Sequence, residues 1–472
     1  MKHRRTIAFS VGLLAVSGCC TIFTARQAQQ SVSDKAKGAP TKAVERLDLS
    51  DCSLKELVQF ALTNRPSMVS AALAVVDARL ALREIAADAP LVSYSPWTSP
   101  HLGISGGHSE SSIPDSPIKW RTDGNASAGL SLDILIYDFG RNAARARTQV
   151  ERVIAAERDL VRTGYDVFTD VSGAYFNLMQ CDALLAVAIT NETEFALHLQ
   201  EAEDRLAAGE AMRLDVTRAR SNLFQAHEDV IVASNNVVTA GADLMKALGV
   251  DVSRGTREET YPMSDDPLKV MRRGFAGTDY GVEEAFELAR TNAPSVSIAR
   301  AQLRAASRQV DYAIADLMPS VSAEVGISWA DPLWAWHWGV SAAQSVFTGF
   351  RKTTAVDRAV VAMESAATAV DEAEQRLSLD LETAIAVRDN AVKKLETARM
   401  TVVQAREDLN LVKQQYQEGE ASRVDFTSAV TSYAQALGNR IVAFYTGQRA
   451  EAALFALVGR LPEYDEKEVK EK

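Results

Sequence analysis

Three residues of the chain fit the G-x-S-x-G pattern of a serine nucleophile: Gly103, Ser105 and Gly107. Such a serine acts from a strand–turn–helix corner and needs a histidine and an acid as partners. Here the pattern lies in a glycine-rich predicted strand before a polar loop, and the six histidines form no close ligand or base pair. The sequence therefore predicts no catalytic residue, and we expect the protein not to be an enzyme.

Cys19 points to a different chemistry, the attachment of lipid. The basic residues of MKHRR precede TIAFSVGLLAV, an apolar stretch that is typical of a signal peptide and too short to span a membrane as a helix. Val16-Ser17-Gly18 then leads to Cys19, an order that the bacterial lipoprotein signal peptidase reads. We expect removal of residues 1–18 and a lipid-anchored segment over 19–53. An ordinary secretory signal that happens to end near a cysteine is the alternative.

The remaining cysteines, Cys20, Cys52 and Cys181, show neither metal-ligand spacing nor a dense disulfide framework. A bridge between Cys20 and Cys52 stays open in an oxidising compartment. We expect no bound metal and no cofactor. The chain has 51 Lys and Arg against 62 Asp and Glu, a net charge of −11. Residues 1–18 carry three basic and no acidic side chains, so their removal gives −14. Such acidity argues against a nucleic-acid partner.

A short motif occurs twice in the chain, 210 residues apart. AAGEAMRLDV begins at Ala207 and QEGEASRVDF begins at Gln417, with Gly, Glu, Ala, Arg and Asp in the same order. The motifs ALTNRPS and ARTNAPS, and the motifs IYDFGR and VFTGFR, also occur once in each half. A repeat of this size indicates structural units. The predicted repeats span residues 54–249 and 282–460, with a connector or equatorial segment at 250–281 and a polar tail at 461–472.

Long helices must position the duplicated motif. Proline is absent from residues 118–261 and 333–461, which are rich in helix-forming residues. Helices are predicted from Arg141 to Asp204 and from Arg351 to Tyr416, each ~95–100 Å long at ~1.5 Å per residue. Alternating apolar steps of 3 and 4 predict coiled-coil packing: Phe195, Leu199, Ala202, Leu206, and Val402, Ala405, Leu409, Val412, Tyr416. Shorter helices are predicted near 54–88, 216–248, 282–317 and 426–459.

Extended segments precede both long helices, at about residues 100–137 and 319–347. In the second segment apolar residues alternate with small or polar ones such as Ser322 and Glu324. Such strands are typical of a transmembrane β-barrel, with tryptophans at the membrane interface. We expect lipid contact by Trp329, Trp334, Trp336 and Trp338. A soluble sheet with one buried face is the alternative. The signal peptide and the lack of another apolar run of 18 residues favour the barrel.

Four strands cannot close a barrel in lipid, because open edges are not tolerated there. The protomer must therefore oligomerise, although periodicity does not fix the number of copies. The duplicated motifs, together with the closing ALFALVGR, resemble the TolC family of bacterial outer-membrane efflux proteins, whose strand-to-helix motif is LFDGGR. The resemblance runs from about Leu54 to Arg460 in two copies. Thr348 and Ser345 depart from the family's usual Asp and Pro at the second strand-to-helix corner.

The resemblance implies an α+β membrane protein with an internal two-fold repeat. A homotrimer would close a transmembrane β-barrel from four strands per protomer, above a long coiled-coil α-helical barrel. It implies an outer-membrane location in a Gram-negative bacterium, among outer-membrane lipid, with extension into the periplasm. The protein would be the passive exit duct of a tripartite efflux or type I secretion system. Its partners would be a periplasmic adaptor and an inner-membrane transporter, and drug, metal-ion and peptide export share such a duct. A non-channel coiled-coil envelope scaffold lipoprotein is the alternative.

The resemblance also assigns roles to the duplicated motif. The hairpin tips would contact the adaptor through Gly209, Glu210, Asp215, Gly419 and Glu420. The glycines permit a turn after the long helix, and the aspartates start the return helix, where a carboxylate meets free N–H groups.

The second tip would line the pore constriction, with Tyr416 and Asp425 at the positions of a gating Tyr and Asp. Ser428 and Ala421 replace the family's second gating Asp and its gating Arg. Three Asp425 carboxylates around one axis need compensation, which Tyr416 or Arg423 could supply.

Overall fold

The structure is a computed structural model that describes residues 53–87, 101–109, 125–209, 212–250, 282–330, 333–345, 347–418 and 420–460. Within these residues the same order of elements occurs twice. The first repeat holds α1 (Leu54–Asn64), α2 (Pro66–Ala87), β1 (His101–Ser109), β2 (Asn125–Tyr137), α3 (Arg141–Ala207) and α4 (Arg213–Leu248). The second holds α5 (Val282–Asn292), α6 (Pro294–Ala315), β3 (Ser320–Ala330), β4 (Leu333–Ala343), α7 (Arg351–Glu418) and α8 (Arg423–Val458).

The two long helices confirm the predicted rods. α3 has 67 residues and α7 has 68, and each begins at the predicted arginine. The predicted apolar seams are buried at Phe195, Ala202, Val402 and Tyr416. α1, α2 and α4 all contact α3, so these shorter helices pack along the long one. One window of 18 residues in α3 has a mean hydropathy of 1.2, and a third of it is buried. A helix that packs in a protein core can have the same length and mean hydropathy.

Two predicted helices, at 54–88 and 282–317, are each divided in the structure. The division falls immediately before Pro66 and before Pro294, which begin α2 and α6. Arg65 has ψ 129° and Ala293 has ψ 121°, because a residue that precedes proline is pushed out of the helical region. Proline suits the first turn of the next helix, where its missing N–H costs nothing.

The corner between strand and long helix is built alike in both repeats. Gly140 and Gly349 have φ of 87° and 61°, and the neighbouring Phe139 and Phe350 also have positive φ. In the first repeat the buried Asp138 accepts hydrogen bonds from the backbone N–H groups of Gly140 (3.1 Å) and Asn142 (2.7 Å). This corner turns the chain from the sheet directly into the long helix.

Asp316, which follows α6, lies beside the first residues of both long helices. Its carboxylate is 3.3 Å from Arg141 Nη1 and 3.3 Å from Lys352 Nζ. One carboxylate therefore links the starts of α3 and α7, which both pack against α6. Between the helices lies an apolar core, one cluster of which joins α5, α7 and α8 through Ala285, Ala289, Leu377, Leu381 and Leu454.

The four strands form one antiparallel sheet in the order β1-β2-β3-β4. β2 pairs with β3, so the sheet joins the two repeats, with Leu130 opposite Ile327. Val325 lies opposite Trp338, which confirms that the apolar residues share a face. That face is open in the protomer, since Trp334, Trp336 and Trp338 are 69%, 75% and 69% exposed. Of the described strands, β1 and β4 each leave one edge unpaired.

Candidate gate at the hairpin tips

The first tip connects α3 to α4. Gly209 has φ 81°, a conformation that favours glycine and ends the long helix. Glu210, a predicted tip residue, lies outside the described residues. α4 begins at Arg213, and the Met212 N–H donates a hydrogen bond of 3.1 Å to Asp215 Oδ2. The side chain of Met212 has no oxygen, so the return half of a capping box is missing at this tip.

The second tip connects α7 to α8 and has a complete capping box. Ser422 N–H donates to Asp425 Oδ2 (3.1 Å), and Asp425 N–H donates to Ser422 Oγ (3.3 Å). The Ser422 hydroxyl also donates to Asp425 Oδ2 at 2.6 Å. Gly419 lies outside the described residues, whereas Glu420 is exposed.

The position of the two aspartates differs slightly from the sequence-based expectation. Asp215 and Asp425 are the third residues of α4 and α8, not the capping residues that precede these helices. Each carboxylate accepts a hydrogen bond from the N–H of the residue before its helix. The carboxylates therefore still satisfy a free N–H group at the positive end of the helix dipole.

An ion pair joins the two tips within one chain. Arg423 Nη2 lies 2.6 Å from Asp215 Oδ1, and the two side chains are only 19% and 27% exposed. The hydrogen bond from Met212 N–H, together with the positive charge of Arg423, holds the pKa of Asp215 below its ordinary value. Arg423 and Asp215, which the sequence analysis assigned to separate roles, therefore act on each other directly.

An aromatic cluster beside this ion pair packs the two hairpins together. The ring of Phe426 lies 4.9 Å from that of His198 and 5.4 Å from that of Tyr416. The Arg205 guanidinium carbon is 4.8 Å from the centre of the Tyr416 ring, within the range of a cation–π contact. His198 and Arg205 belong to α3, whereas Tyr416 and Phe426 belong to the second hairpin. Tyr416 is 7% exposed and lies between the hairpins in this structure.

His198 is held neutral in that cluster. It is 2% exposed, and neither ring nitrogen has a hydrogen-bond partner among the described residues. Glu201 approaches only to 3.9 Å. Burial, and then the charges of Arg423 and Arg205, lower the pKa of His198 to about 4. Protonation of His198 would therefore place a third positive charge beside two arginines in a closely packed interface.

We expect acid to weaken the packing of the tips through His198. Between pH 6.5 and about 4 the unfolded chain binds a proton at this histidine and the folded chain does not, so the free energy of unfolding falls as the pH falls. The contribution is complete above pH 6.5, and about 2 kcal/mol of it is lost by pH 5. Thermal unfolding at pH 7.5 and pH 5, followed by circular dichroism, measures this. His198→Leu should reduce the acid-induced loss, and the exposed His227→Leu should not. An equal loss in His198→Leu and the wild type would contradict it.

The other predicted site residues occupy defined places. Ser428 and Arg423 line an open polar cleft between α4 and α8, opposite Asp215 and Arg218. Asp425 is exposed, and its side chain bonds to Ser422 rather than to Arg423 or Tyr416. Cys19 lies outside the described residues. Trp329 belongs to β3, and the structure describes its backbone but not its side chain.

Sequence reasoning missed His198 and Phe426 as members of the cluster. A signal was present for both. His198 stands three residues after Phe195 on the apolar seam of α3, and Phe426 directly follows the duplicated Asp. Among the described residues no group of three or more His, Cys, Asp or Glu side chains could hold a metal ion.

The duplicated tips and corners belong to one wider sequence pattern. The pattern that defines the outer membrane efflux protein family matches residues 57–250 and 285–460. The chain belongs to the outer membrane efflux protein family. The two matched blocks fall in the two repeats, and both contain a tip and a strand-to-helix corner. The match therefore covers the sheet, the long helices and the return helices of this efflux-family chain.

Solved structures share the fold of this efflux-family chain. A membrane protein from Pseudomonas aeruginosa superposes with a TM-score of 0.74 at 21% identity, covering 88% of this chain and 92% of its own. The outer membrane protein VceC from Vibrio cholerae superposes with a TM-score of 0.72 at 18% identity, covering 87% and 97%.

Protein CyaE of Bordetella pertussis is 25% identical over 283 residues, which is 60% of this chain. The aligned region spans about half, 55%, of that relative's length.

Proposed function

We propose that the protein is the passive outer-membrane exit duct of a tripartite efflux or type I secretion system. Three copies form the duct, which extends from the outer membrane into the periplasm. A periplasmic adaptor and an inner-membrane transporter work with it, and the transporter supplies the energy. The protein's task is to conduct and to gate, which requires no catalytic residue. Membership of the outer membrane efflux protein family over both repeats supports this proposal.

The observation that carries the proposal is the sheet. One face presents exposed tryptophans, and the four described strands leave an unpaired edge at β1 and at β4. An exposed apolar surface of this kind marks a region that contacts a membrane or another protein chain. Open edges are not stable in lipid, and single-chain barrels have at least about eight strands. Closure of the sheet by strands from further copies resolves both features.

Conductance of the purified protein in a planar lipid bilayer tests the duct. We expect stable ion-conducting events, because a closed barrel leaves a water-filled lumen between polar inner faces. A non-channel scaffold lipoprotein would share the coiled-coil helices and would not conduct. Protein with native helicity that never conducts, at any voltage or salt concentration tried, would contradict the duct and favour the scaffold.

The hairpin tips are the proposed adaptor contacts, with Gly209, Glu210, Asp215, Gly419 and Glu420 at their centre. Exposed apolar side chains beside them support this role. Leu214 and Val424, which occupy equivalent positions 210 residues apart, are 53% and 70% exposed, and Met212 is 73% exposed. Equivalent exposed residues on both hairpins present a repeated surface to one partner.

The second tip is the proposed pore constriction, with Arg423, Asp425 and Ser428 at its surface and Tyr416 packed behind them between the hairpins. Among the residues that the structure describes, Asp425 has no arginine partner, and Arg423 is bound to Asp215. The equivalent arginine of the first tip, Arg213, is exposed and makes no ion pair with a described residue. The Arg423–Asp215 ion pair joins the second hairpin (α7 and α8) to the first (α3 and α4) within one chain.

In the assembled ring, the second hairpin of one chain also adjoins the first hairpin of the next chain. By the same geometry, Arg213 of the neighbouring subunit pairs with Asp425. The closed ring would then contain two kinds of arginine–aspartate pair, one within each chain and one between chains. The second kind supplies the compensation that three Asp425 carboxylates around one axis require.

Cys19 is the proposed lipid anchor, and the mass of the intact mature protein tests it. We expect Cys19 as the first residue, with lipid on its sulfur and on its amine, because several acyl chains give a stable attachment. A mass that matches an unmodified N-terminus, or cleavage at another bond, would contradict the anchor. The barrel provides a second attachment, so Cys19→Ser should still reach the membrane.

A further inference from the structure

Each corner between the sheet and a long helix carries a pair of exposed aromatic side chains. In the first corner the ring centres of Tyr137 and Phe139 lie 4.7 Å apart. In the second corner those of Phe347 and Phe350 lie 5.8 Å apart. All four side chains are exposed, and those of Phe347 and Phe350 reach 77% and 73%. Neither pair is buried in the core of the protomer.

One phenylalanine in each corner has a strained backbone. Phe139 has φ 53° and Phe350 has φ 62°, a region that bulky residues rarely adopt because the β-carbon crowds the backbone. The motif reads Phe-Gly in the first corner and Gly-Phe in the second, yet both corners place a phenylalanine at positive φ. Glycine or asparagine would make the same turn with less strain. The turn alone therefore does not account for these exposed rings, whereas a contact outside the protomer does.

A bulge at the end of β2 turns the first aromatic pair onto the apolar face of the sheet. The pairing of β2 with β3 is regular up to Leu135 and Ser322, and it then shifts so that Tyr137 lies opposite Val321. Residues directly opposite each other share a face, and Val321 shares its face with Val325, four residues along the strand. Without the bulge, Tyr137 would lie on the same face as Leu135. The apolar face therefore continues into the corner.

The height of the sheet places the corners at one boundary of a membrane. Strand β3 has 11 residues, which span ~37 Å at ~3.4 Å per residue. A tilt of about 35–45° leaves ~26–30 Å of height, close to the apolar band of about 25 Å in an outer-membrane barrel. Trp334 lies at the β3–β4 end of the sheet, and Tyr137 lies at the opposite end. Aromatic residues mark both boundaries of such a band.

Basic side chains follow the aromatic pairs directly. Residues 141–147 and 351–356, which begin α3 and α7, contain five basic and no acidic side chains, although the whole chain has a net charge of −11. Positive charge is unfavourable at the start of a helix unless an anion compensates it. Asp316 compensates two of the five, Arg141 and Lys352. The other three are exposed and form no ion pair with a described residue: Arg145, Arg147 and Arg351.

We propose that the two corners bind the phospholipid headgroup layer on the periplasmic side of the outer membrane. The aromatic pairs lie among the glycerol and upper acyl groups, and Arg351 of the adjoining helix start pairs with lipid phosphate. Aromatic rings beside basic side chains are typical of a protein surface at this layer. The inference rests on the proposed function, in which the apolar face of the sheet contacts lipid. Two corners in each copy then hold the duct at one height in the membrane.

Photo-crosslinking in lipid vesicles tests the contact. The full-length protein, with p-benzoylphenylalanine in place of Phe350, is reconstituted in vesicles of phosphatidylcholine and phosphatidylglycerol and irradiated. We expect intact-protein mass spectrometry to show the added mass of a phospholipid. The same photoreactive residue in place of Phe224 is the matched control, because Phe224 is an exposed aromatic residue on α4. It should give no lipid adduct. A crosslink from position 350 to another protein chain, or no adduct at all, would overturn the inference.

Asparagine removes the aromatic rings without breaking the turn, because it tolerates positive φ. Phe139→Asn combined with Phe350→Asn should lower the fraction of protein that floats with the vesicles several-fold, and Phe224→Asn should not. Arg351→Gln should lose the gain in flotation that phosphatidylglycerol gives the wild type. Arg399→Gln, an exposed arginine far along α7, should keep that gain. Equal flotation of the wild type and the double asparagine variant would contradict the contact.

Conductance separates this contact from the proposed function. If the protein conducts in a planar bilayer but position 350 gives no lipid adduct, the headgroup contact is wrong and the duct stands. If position 350 gives a lipid adduct in protein that never conducts, the duct is wrong and the headgroup contact stands.

Discussion

Val325→Arg should strongly reduce the yield of assembled trimer, whereas Glu324→Arg should leave it close to the wild-type value. The two residues are neighbours in β3 and point to opposite faces of the sheet. Val325 is opposite Trp338 on the apolar face and is 48% exposed in the protomer. It is the sixth of 11 residues in the strand, so it lies near the middle of the membrane span.

The expected effect comes from the cost of a charge in lipid. An arginine on the lipid face near the midplane costs about 2–4 kcal/mol, and a trimer would carry three of them. At Glu324, whose side chain is 50% exposed in the protomer, the new arginine would stay on the opposite, polar face of the sheet. Size-exclusion chromatography of detergent-solubilised membranes measures the trimer fraction. Equal losses in both variants would contradict the assignment of the faces, and a stable monomer with native helicity would contradict the trimer.

The helices and strands could be predicted because each has a local cause in the sequence. The starts of both long helices at Arg141 and Arg351 followed from the absence of proline and from the strand-to-helix motif. The alternation in β3 and β4 predicted the two faces of the sheet. The division of the short helices at Pro66 and Pro294 follows from a local rule that applies to every residue before a proline.

The connections between the two tips could not be predicted because they depend on tertiary packing. The Arg423–Asp215 ion pair joins residues 208 positions apart, and neither motif alone indicates which arginine meets which aspartate. His198 directly precedes Leu199 of the predicted apolar seam, but its aromatic neighbours come from the other hairpin. The contact between Glu324 of β3 and His337 of β4 likewise depends on the register of two strands, which periodicity of a single strand does not determine.

Asp425→Asn should produce an assembled trimer with higher conductance in the resting state, weaker cation selectivity and less block by multivalent cations. Asparagine at this position can still accept the hydrogen bond from Ser422 N–H, so α8 keeps its start. It carries no charge for Arg213 of the neighbouring subunit or for a cation. A hydrogen bond to a charged group contributes about 1.5–3 kcal/mol, so its loss shifts the ratio of closed to open tips about tenfold or more.

The ion pair changes what we expect of Asp215→Asn. From the sequence alone, Asp215 lies outside the constriction, and the substitution should leave conductance nearly unchanged. In the structure, Asp215 is the partner of Arg423, whose Nε and Nη1 are already buried without a partner among the described residues. Asp215→Asn should therefore also raise the resting conductance. Asp229→Asn on the same helix is the control, because Asp229 is exposed and forms no ion pair with a described residue.

An exchange of charges tests the contact between subunits. Asp425→Arg and Arg213→Asp should each open the tip, since each places like charges at one contact. The double variant restores opposite charges across the subunit boundary and should return the resting conductance toward the wild-type value. Residues in contact show such non-additive effects, whereas distant residues add. Strictly additive effects in the double variant would contradict the contact between Arg213 and Asp425. Wild-type conductance in Asp425→Asn would place the gate elsewhere in the channel.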